Sequence, residues 1–349
     1  MTNVTTADQR FGITAMGYPR NAWYALAVSR DVTDAPYGTR ALDRPVVVFR
    51  ISDGTAVALA DRDAHRPYPL SLGRVEGDTI VSGYSGFVYA HDGLCVRVPT
   101  QRQPPYGARI ASYPVCEHDG IVWGWLGERS LAERRPPEPT PWLSDPAWTT
   151  FGGQWETEAH IQLLHENFAD ITHVAVVDPV ISPPALAAEA PPLQVQLTET
   201  TVGFHRDWPP APMPAWQAAA TGVPPDRAYP QHEHGAFLSP GLWADRWDVQ
   251  IPESEGGTQT FRFTHAVTPV SPHTTRHIWR VSRNFAHDAA TTAAFLPIFE
   301  GYYRRVRDIL QTMQQVIDVD GYDEVSVAAD VAALQVRKII RRLIADEGV

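Results

Sequence analysis

Two short stretches have the spacing of a metal site. In "DRDAHRPYPL", residues 61–70, His65 follows Asp63 by two. In "VSGYSGF", residues 81–87, Ser85 follows Ser82 by three, and sixteen residues separate His65 from Ser82. Of these four side chains only one carboxylate and one imidazole are ordinary ligands; the two serine hydroxyls stay protonated at neutral pH and bind metal poorly. A second group lies in "LLHENFADITHVAVVDP". His165, Asn167, Asp170, His173 and Asp178 fall within fourteen residues. Imidazoles beside carboxylates suit acid–base work near neutral pH or weak binding of a divalent ion.

Further downstream, polar and aromatic residues suited to a ligand cavity recur. They are His205, Trp208, Trp216, Tyr229, Trp247, His265, His277 and Trp279. Asp207, His232, His234 and Trp243 accompany them. A histidine on a strand beside tryptophan is more often a core or surface residue than a catalyst. His232 and His234, two apart in "QHEHG", read as solvated.

These residues must be positioned by two kinds of element. From Trp23 to Leu126 the chain shows short β-rich runs such as "RPVVVFRI" and "GIVWGWLG", separated by turn signals such as "SDG" and "HDG". The stretch around 128–146 is rich in proline and charge and reads as a linker. Beyond it the spacing predicts a helix over Leu163–His173, then strands in "LQVQLTETTVGFHRDW", "GAFLSPGLWADRWDVQI", "TQTFRFTHAVTPVS" and "TTRHIWRVSRNF". Residues 209–231 are too proline-rich for more than one short helical turn. Two helices with apolar residues near 3.6 spacing end the chain, the last with Ser326 as a candidate cap.

Composition narrows the class. The 349 residues suit two domains, and the net charge of −11 with no basic cluster argues against nucleic acid. Only two cysteines are present, Cys95 and Cys116, so no disulfide framework is expected. No apolar run is long enough to span a bilayer. "MTNVTTADQR" lacks the order of a signal peptide, so the expected location is cytoplasmic. No glycine-rich nucleotide fingerprint and no G-x-S-x-G elbow occur.

The motifs together resemble the catalytic subunit of a Rieske non-heme iron oxygenase of the aromatic O-demethylase type. The likeness is carried by "YPRNAWYALAVSRDV", "PLSLGRVEGDTIVSGYSGFVY", "AHIQLLHENFADITHVAVVDP", and "THAVTP" followed by "HIWRVSRNF". The implied fold is α+β. An N-terminal all-β Rieske-like domain spans 18–130, a linker 131–148, and a helix-grip catalytic domain with an antiparallel sheet and long helices 149–349. The resemblance places the cluster ligands, two cysteines and two histidines in the family, at Asp63, His65, Ser82 and Ser85. It places the mononuclear iron ligands at His173, at Asp178, and near Arg307 or Asp308. Asn167 and Asp170 match the family motif.

These departures lead to an expectation of an enzyme without a cofactor, holding neither iron–sulfur cluster nor metal. It would catalyse cyclisation, cycloaddition included, or isomerisation of a hydrophobic small molecule, with His173 as acid or base. The expected partners are that substrate and further copies of the chain, as a homotrimer or other homo-oligomer, without nucleic acid or membrane. A partner subunit of an active oxygenase and a residual mononuclear metalloenzyme are the alternatives.

Overall fold

In the computed structural model, residues 17–321 and 325–348 are described. The N-terminal stretch read for a signal peptide lies outside them. The chain forms two units, Pro19–Pro139 with Thr268–Ser271, and Thr140–Val267 with Pro272–Val349.

The first unit is built from short antiparallel strands in three sheets. Its core packs Val47, Phe49, Leu59, Ile80 and Tyr89, all fully buried. The run "RPVVVFR" pairs with "AVALA" over Val46–Arg50 and Ala56–Ala60. After Ala60 the chain leaves the sheet in the loop that carries Asp63 and His65. The turn between strands Thr79–Val81 and Val88–Ala90 carries Ser82 and Ser85.

The second unit is a seven-stranded antiparallel sheet gripped by a long helix. Its strands are β1 (Thr149–Thr157), β2 (Gln194–Leu197), β3 (Val202–Ala211), β4 (Tyr229–Ser239), β5 (Leu242–Val249), β6 (Gln259–Ser271) and β7 (Thr274–Arg283). Their order in the sheet is β1-β7-β6-β5-β4-β3-β2. Side chains alternate between faces, as strand geometry requires. On β4 the odd-numbered residues from Tyr229 to Phe237 are buried and the even-numbered ones are half-buried.

The helices are α1 (Ile161–Ala169), α2 (Val174–Val177), α3 (Ala215–Thr221), α4 (Ala289–Asp320) and α5 (Val331–Asp346). Asp288 caps α4 by accepting from Thr291 N–H at 2.8 Å. The buried positions of α4 are Phe295, Phe299, Tyr303, Val306, Leu310, Gln314 and Ile317. That 4-4-3 repeat is one helical face, and its aromatic end meets Phe151, Phe261 and Trp279 of the sheet.

Two local expectations are corrected. The helix predicted to reach His173 stops at Ala169, because Asp170 is extended (φ −140°, ψ 114°). Its carboxylate instead accepts from the N–H and hydroxyl of Thr172 at 2.9 and 2.8 Å. Ser326 does not cap the last helix. A 3₁₀ turn over Ala328–Asp330 precedes it, and Asp330 accepts from Val327 N–H at 2.6 Å.

Candidate functional site

The second unit holds a partly open cavity of about 120 Å³ between the inner face of the sheet and helices α1, α3 and α4. One wall is aromatic, with Trp216, Trp247, Phe261, Phe263 and Phe299. Trp216 is fixed by its indole N–H, which donates to Val180 O at 2.9 Å, and by edge contacts to Phe295 and Phe299. Trp247 donates to Gln231 Oε1 at 3.1 Å. Both rings are therefore held rather than free to fill the space.

The helical end of the cavity carries Asn167 and Tyr302, and His173 is hydrogen-bonded to both. His173 Nδ1 lies 2.7 Å from the Asp170 carbonyl, which can only accept, so Nδ1 carries the proton. Nε2 is then a lone pair, receiving Asn167 Nδ2–H at 3.1 Å and the Tyr302 hydroxyl at 3.3 Å. Burial lowers the His173 pKa, opposed by the charge of Asp170, so the ring stands neutral.

Asp178 is buried. Its carboxylate accepts from Val180 N–H at 3.1 Å and forms an ion pair with Arg305 of α4. The resemblance placed a third iron ligand at Arg307 or Asp308. Those two side chains bond to each other at 2.7 Å. The α4 residues that reach the motif are Tyr302 and Arg305, three apart and so on one face.

A line of polar side chains crosses the inner face of the sheet, one from each of five adjacent strands. Arg206 on β3 lies 3.3 Å from Glu233 on β4, opposite it in register. Asp245 on β5 follows, 3.4 Å from His265 Nε2 on β6. His265 Nδ1 is 3.0 Å from His277 Nε2 on β7. Both imidazoles are buried, and burial pushes His265 down to about 3 and His277 well below its ordinary value. Glu233 is pushed up to about 7 by burial, against the pull of Arg206 and of the Trp208 N–H. Asp245 is raised well above the usual carboxylate range, again by burial.

The remaining candidates divide by face. Trp208 is buried beside this line and donates to Glu233 Oε2 at 2.9 Å. Tyr229 and Trp279 are buried in the surrounding core. Their places support the cavity without lining it. His205 is on the opposite face of the sheet, its ring stacked 5.9 Å from His234, because even- and odd-numbered side chains alternate sides differently on β3 and β4. His165 is a core residue. It accepts from Trp243 Nε1–H at 2.8 Å, and burial takes its pKa to about 3. The reading of His232 as an outward residue matches its bond to exposed Asp207 at 2.7 Å.

The sequence reading missed Arg206, Glu233, Asp245, Tyr302 and Arg305. A signal for Glu233 existed. In "QHEHG" His232 bonds to exposed Asp207 on the outer face, so strand alternation turns the adjacent Glu233 inward.

In the first unit the four loop-tip residues come together around Asp63, which is buried. Its carboxylate accepts from the Ser85 hydroxyl, from Tyr89 OH at 2.8 Å and from His65 N–H at 2.9 Å. Ser82 Oγ lies 3.3 Å from Ser85 N–H. The His65 ring stacks on Phe87 at 5.3 Å.

Comparison with known proteins places this arrangement. Residues 157–346 match the family model of the vanillate O-demethylase oxygenase C-terminal domain, and residues 22–120 match the Rieske [2Fe-2S] domain. The chain belongs to the vanillate O-demethylase oxygenase family. A putative toluene-4-sulfonate monooxygenase system iron-sulfur subunit from Comamonas testosteroni is 29% identical, covering 94% of this chain and 98% of that one. A vanillate O-demethylase oxygenase subunit from a Pseudomonas strain is 28% identical, covering 95% and 96%. The crystal structure of dicamba monooxygenase bound to 3,6-dichlorosalicylic acid superposes with a TM-score of 0.83, at 23% identity over 95% of this chain and 98% of that one. That likeness establishes the fold.

These findings correct the functional expectation. The relatives of the vanillate O-demethylase oxygenase family named above are redox oxygenase components, and none is a cyclase or isomerase. The expectation of a chain from a cofactor-free class is corrected on the same ground, since the matching domain is an iron–sulfur domain and a solved relative carries non-heme iron.

The side chains at the family's metal positions do not fit those groups. A two-iron cluster takes thiolates and imidazoles. Here the loop tips offer one carboxylate already bonded to Ser85 and Tyr89, one imidazole stacked on Phe87, and two hydroxyls. At the mononuclear position, His173 Nε2 is bonded to Asn167 and Tyr302, and Arg305 brings a permanent cation to Asp178. Among the described residues, no group of three or more His, Cys, Asp or Glu side chains is arranged to hold a metal ion. Among the described residues, no helix is long and apolar enough to cross a membrane.

Proposed function

We propose that this member of the family binds and processes a small, largely apolar ring compound in the cavity of the helix-grip unit. One observation carries the reading: a largely apolar, aromatic-walled cavity of about 120 Å³ with a few polar side chains, Glu233, Asp245 and His265 among them, in its lining. An apolar cavity of roughly 150 Å³ takes up benzene, so a partly open space of about 120 Å³ is of the order of one ring. The family relatives are named for compounds of that size, toluene-4-sulfonate, vanillate and dicamba.

The chain's own residues supply three things. Trp216, Trp247 and Phe299 hold a ring and exclude water. The polar wall from Glu233 to His265 orients it. His173, whose Nε2 accepts from Asn167 and Tyr302, holds those two lining side chains in place. We also take the chain to be a homo-oligomer, with a homotrimer as the specific form; relatives named as an oxygenase subunit and an oxygenase component act within larger systems. Sizing by light scattering checks this.

The cavity reading is tested by titrating toluene and benzyl alcohol against the intrinsic tryptophan fluorescence. Saturable quenching is expected. Ile171→Phe, which adds a ring to the lining, should abolish it at an unchanged melting temperature. Absence of saturable binding to the native chain would overturn the reading.

A further inference from the structure

We propose that Asp245, His265 and His277 form a proton relay that joins the ring cavity to a second, smaller space beside the long helix. The inference rests on the reading of the cavity as a ligand site and gives this line of side chains a task there.

Asp245 lines the cavity, and its buried Oδ1 has no hydrogen-bond partner. Its Oδ2 lies 3.4 Å from His265 Nε2, and His265 Nδ1 lies 3.0 Å from His277 Nε2. The carboxyl and the two imidazoles therefore stand in series. The rings are clamped in that order. Phe168 stacks on His265 at 4.2 Å, and Tyr303 meets both imidazoles edge-on at 5.6 and 5.8 Å. His277 also lines the second space, of about 10 Å³, together with Trp155 and Arg307. That is room for about one water. Trp155 Nε1–H is buried without a partner, a donor that a water in this space would satisfy. Arg307 is partly exposed and paired with Asp308, so the space adjoins solvent.

A buried line passes protons cheaply only if it need not hold a charge. Burial raises Asp245 against the pull of the Ala236 backbone, lowers His265, and, with the charges of His265 and Arg280, lowers His277. All three groups therefore stand neutral, with one proton each. The nearby guanidinium groups are engaged elsewhere. Arg206 pairs with Glu233, and Arg246, which also lines the cavity, pairs with Asp248 at 2.9 Å and bonds to His234 at 2.7 Å. One shift of the line is balanced. A ligand proton enters at Asp245 Oδ1, the Oδ2 proton passes to His265 Nε2, the Nδ1 proton passes to His277 Nε2, and the His277 Nδ1 proton leaves to water. One proton enters, one leaves, and no electrons move. The reverse shift restores the first order, so the line takes a proton from a bound molecule and returns one.

The test is exchange of ring N–H protons with deuterium oxide, followed by NMR on the whole chain labelled with ¹⁵N-histidine. His165 is the internal control. It is equally buried, its Nδ1 accepts from Trp243, and its Nε2 has no partner. The His265 ring proton should exchange at least about tenfold faster than that of His165. His277→Phe, which keeps a ring against Tyr303, should slow His265 exchange about tenfold, whereas loosened packing alone would speed it. Equally slow exchange at His165 and His265 would overturn the relay, as would unchanged or faster His265 exchange in the variant. The comparison within the native chain decides should the variant not fold. Benzyl alcohol then probes the cavity end. Its binding should shift the ring nitrogens of His265 and His277, and toluene binding should not. If the alcohol binds and those nitrogens do not respond, the relay fails while the cavity reading stands. If neither compound binds, the cavity reading fails and the relay loses its task.

Discussion

Arg305 on the long helix closes on the carboxylate of Asp178, at the position where the family motif would otherwise offer a metal ligand. Asp178 is almost fully buried and Arg305 is about half exposed. Removing the guanidinium leaves a buried carboxylate with backbone donors alone. Arg305→Ala should therefore cost about 1–3 kcal/mol, with solvent access to the arginine keeping it below the cost of breaking a fully buried pair. The double variant with Asp178→Asn should recover most of that loss. Urea unfolding of the three variants, compared as a double-mutant cycle, checks it.

Asp63 ties the two loop tips of the first unit together. Burial alone would raise its pKa, yet the hydrogen bonds from Ser82, Ser85, His65 N–H and Tyr89 outweigh it and hold the pKa below the ordinary value. A lowered folded-state pKa means that the stabilisation is present above about pH 4 and is lost as pH falls through the folded value. Asp63→Asn should cost about 1–3 kcal/mol at pH 7, with the gap to the native chain closing in acid. Equal destabilisation at pH 7 and pH 3 would contradict this account.

Glu233 has the opposite sign. Its folded pKa, about 7, stands above its unfolded value. The native state holds the proton longer, so this group stabilises most below about pH 4.5 and that contribution is lost as pH rises through about 7. Glu233→Gln keeps an acceptor for Trp208 and removes the titration. Melting temperatures measured from pH 5 to pH 8 should fall more for the native chain than for the variant.

Gly235 is held to hydrogen by the ring of Phe204. A Cβ there would stand 2.0 Å from Phe204 Cζ. Gly235→Ala should cost about 1–3 kcal/mol through overpacking, and Phe204→Leu in the same chain should relieve part of it. Thermal unfolding of the two variants measures this.

Much of the fold was legible because its signals are local. Strands such as "RPVVVFR" and the 3.6-residue repeat of "FLPIFEGYYRRV" declare themselves within a few residues. His173 was legible through its motif. The partners of His173 and Asp178 were not, because they sit some 130 positions away. Placing Tyr302 and Arg305 needs the rotation of α4 to within one residue, and counting along the chain shifted the choice to Arg307 and Asp308. Glu233 and Asp245 were hidden for another reason. Charged residues are ordinarily assigned to the solvent face, and here strand alternation overrides that habit. His65, Ser82, Ser85 and Asp63 were grouped correctly from spacing, while Tyr89, which completes the network, lies on a strand outside both quoted stretches.

The central claim is that the helix-grip cavity holds a single ring against Trp247, Phe261 and Phe299. A crystal structure of the chain soaked with benzyl alcohol tests it most directly. The account predicts one ordered ring among those three side chains, with its hydroxyl turned toward Glu233 or Asp245. An empty cavity in crystals that bind the alcohol elsewhere would contradict it.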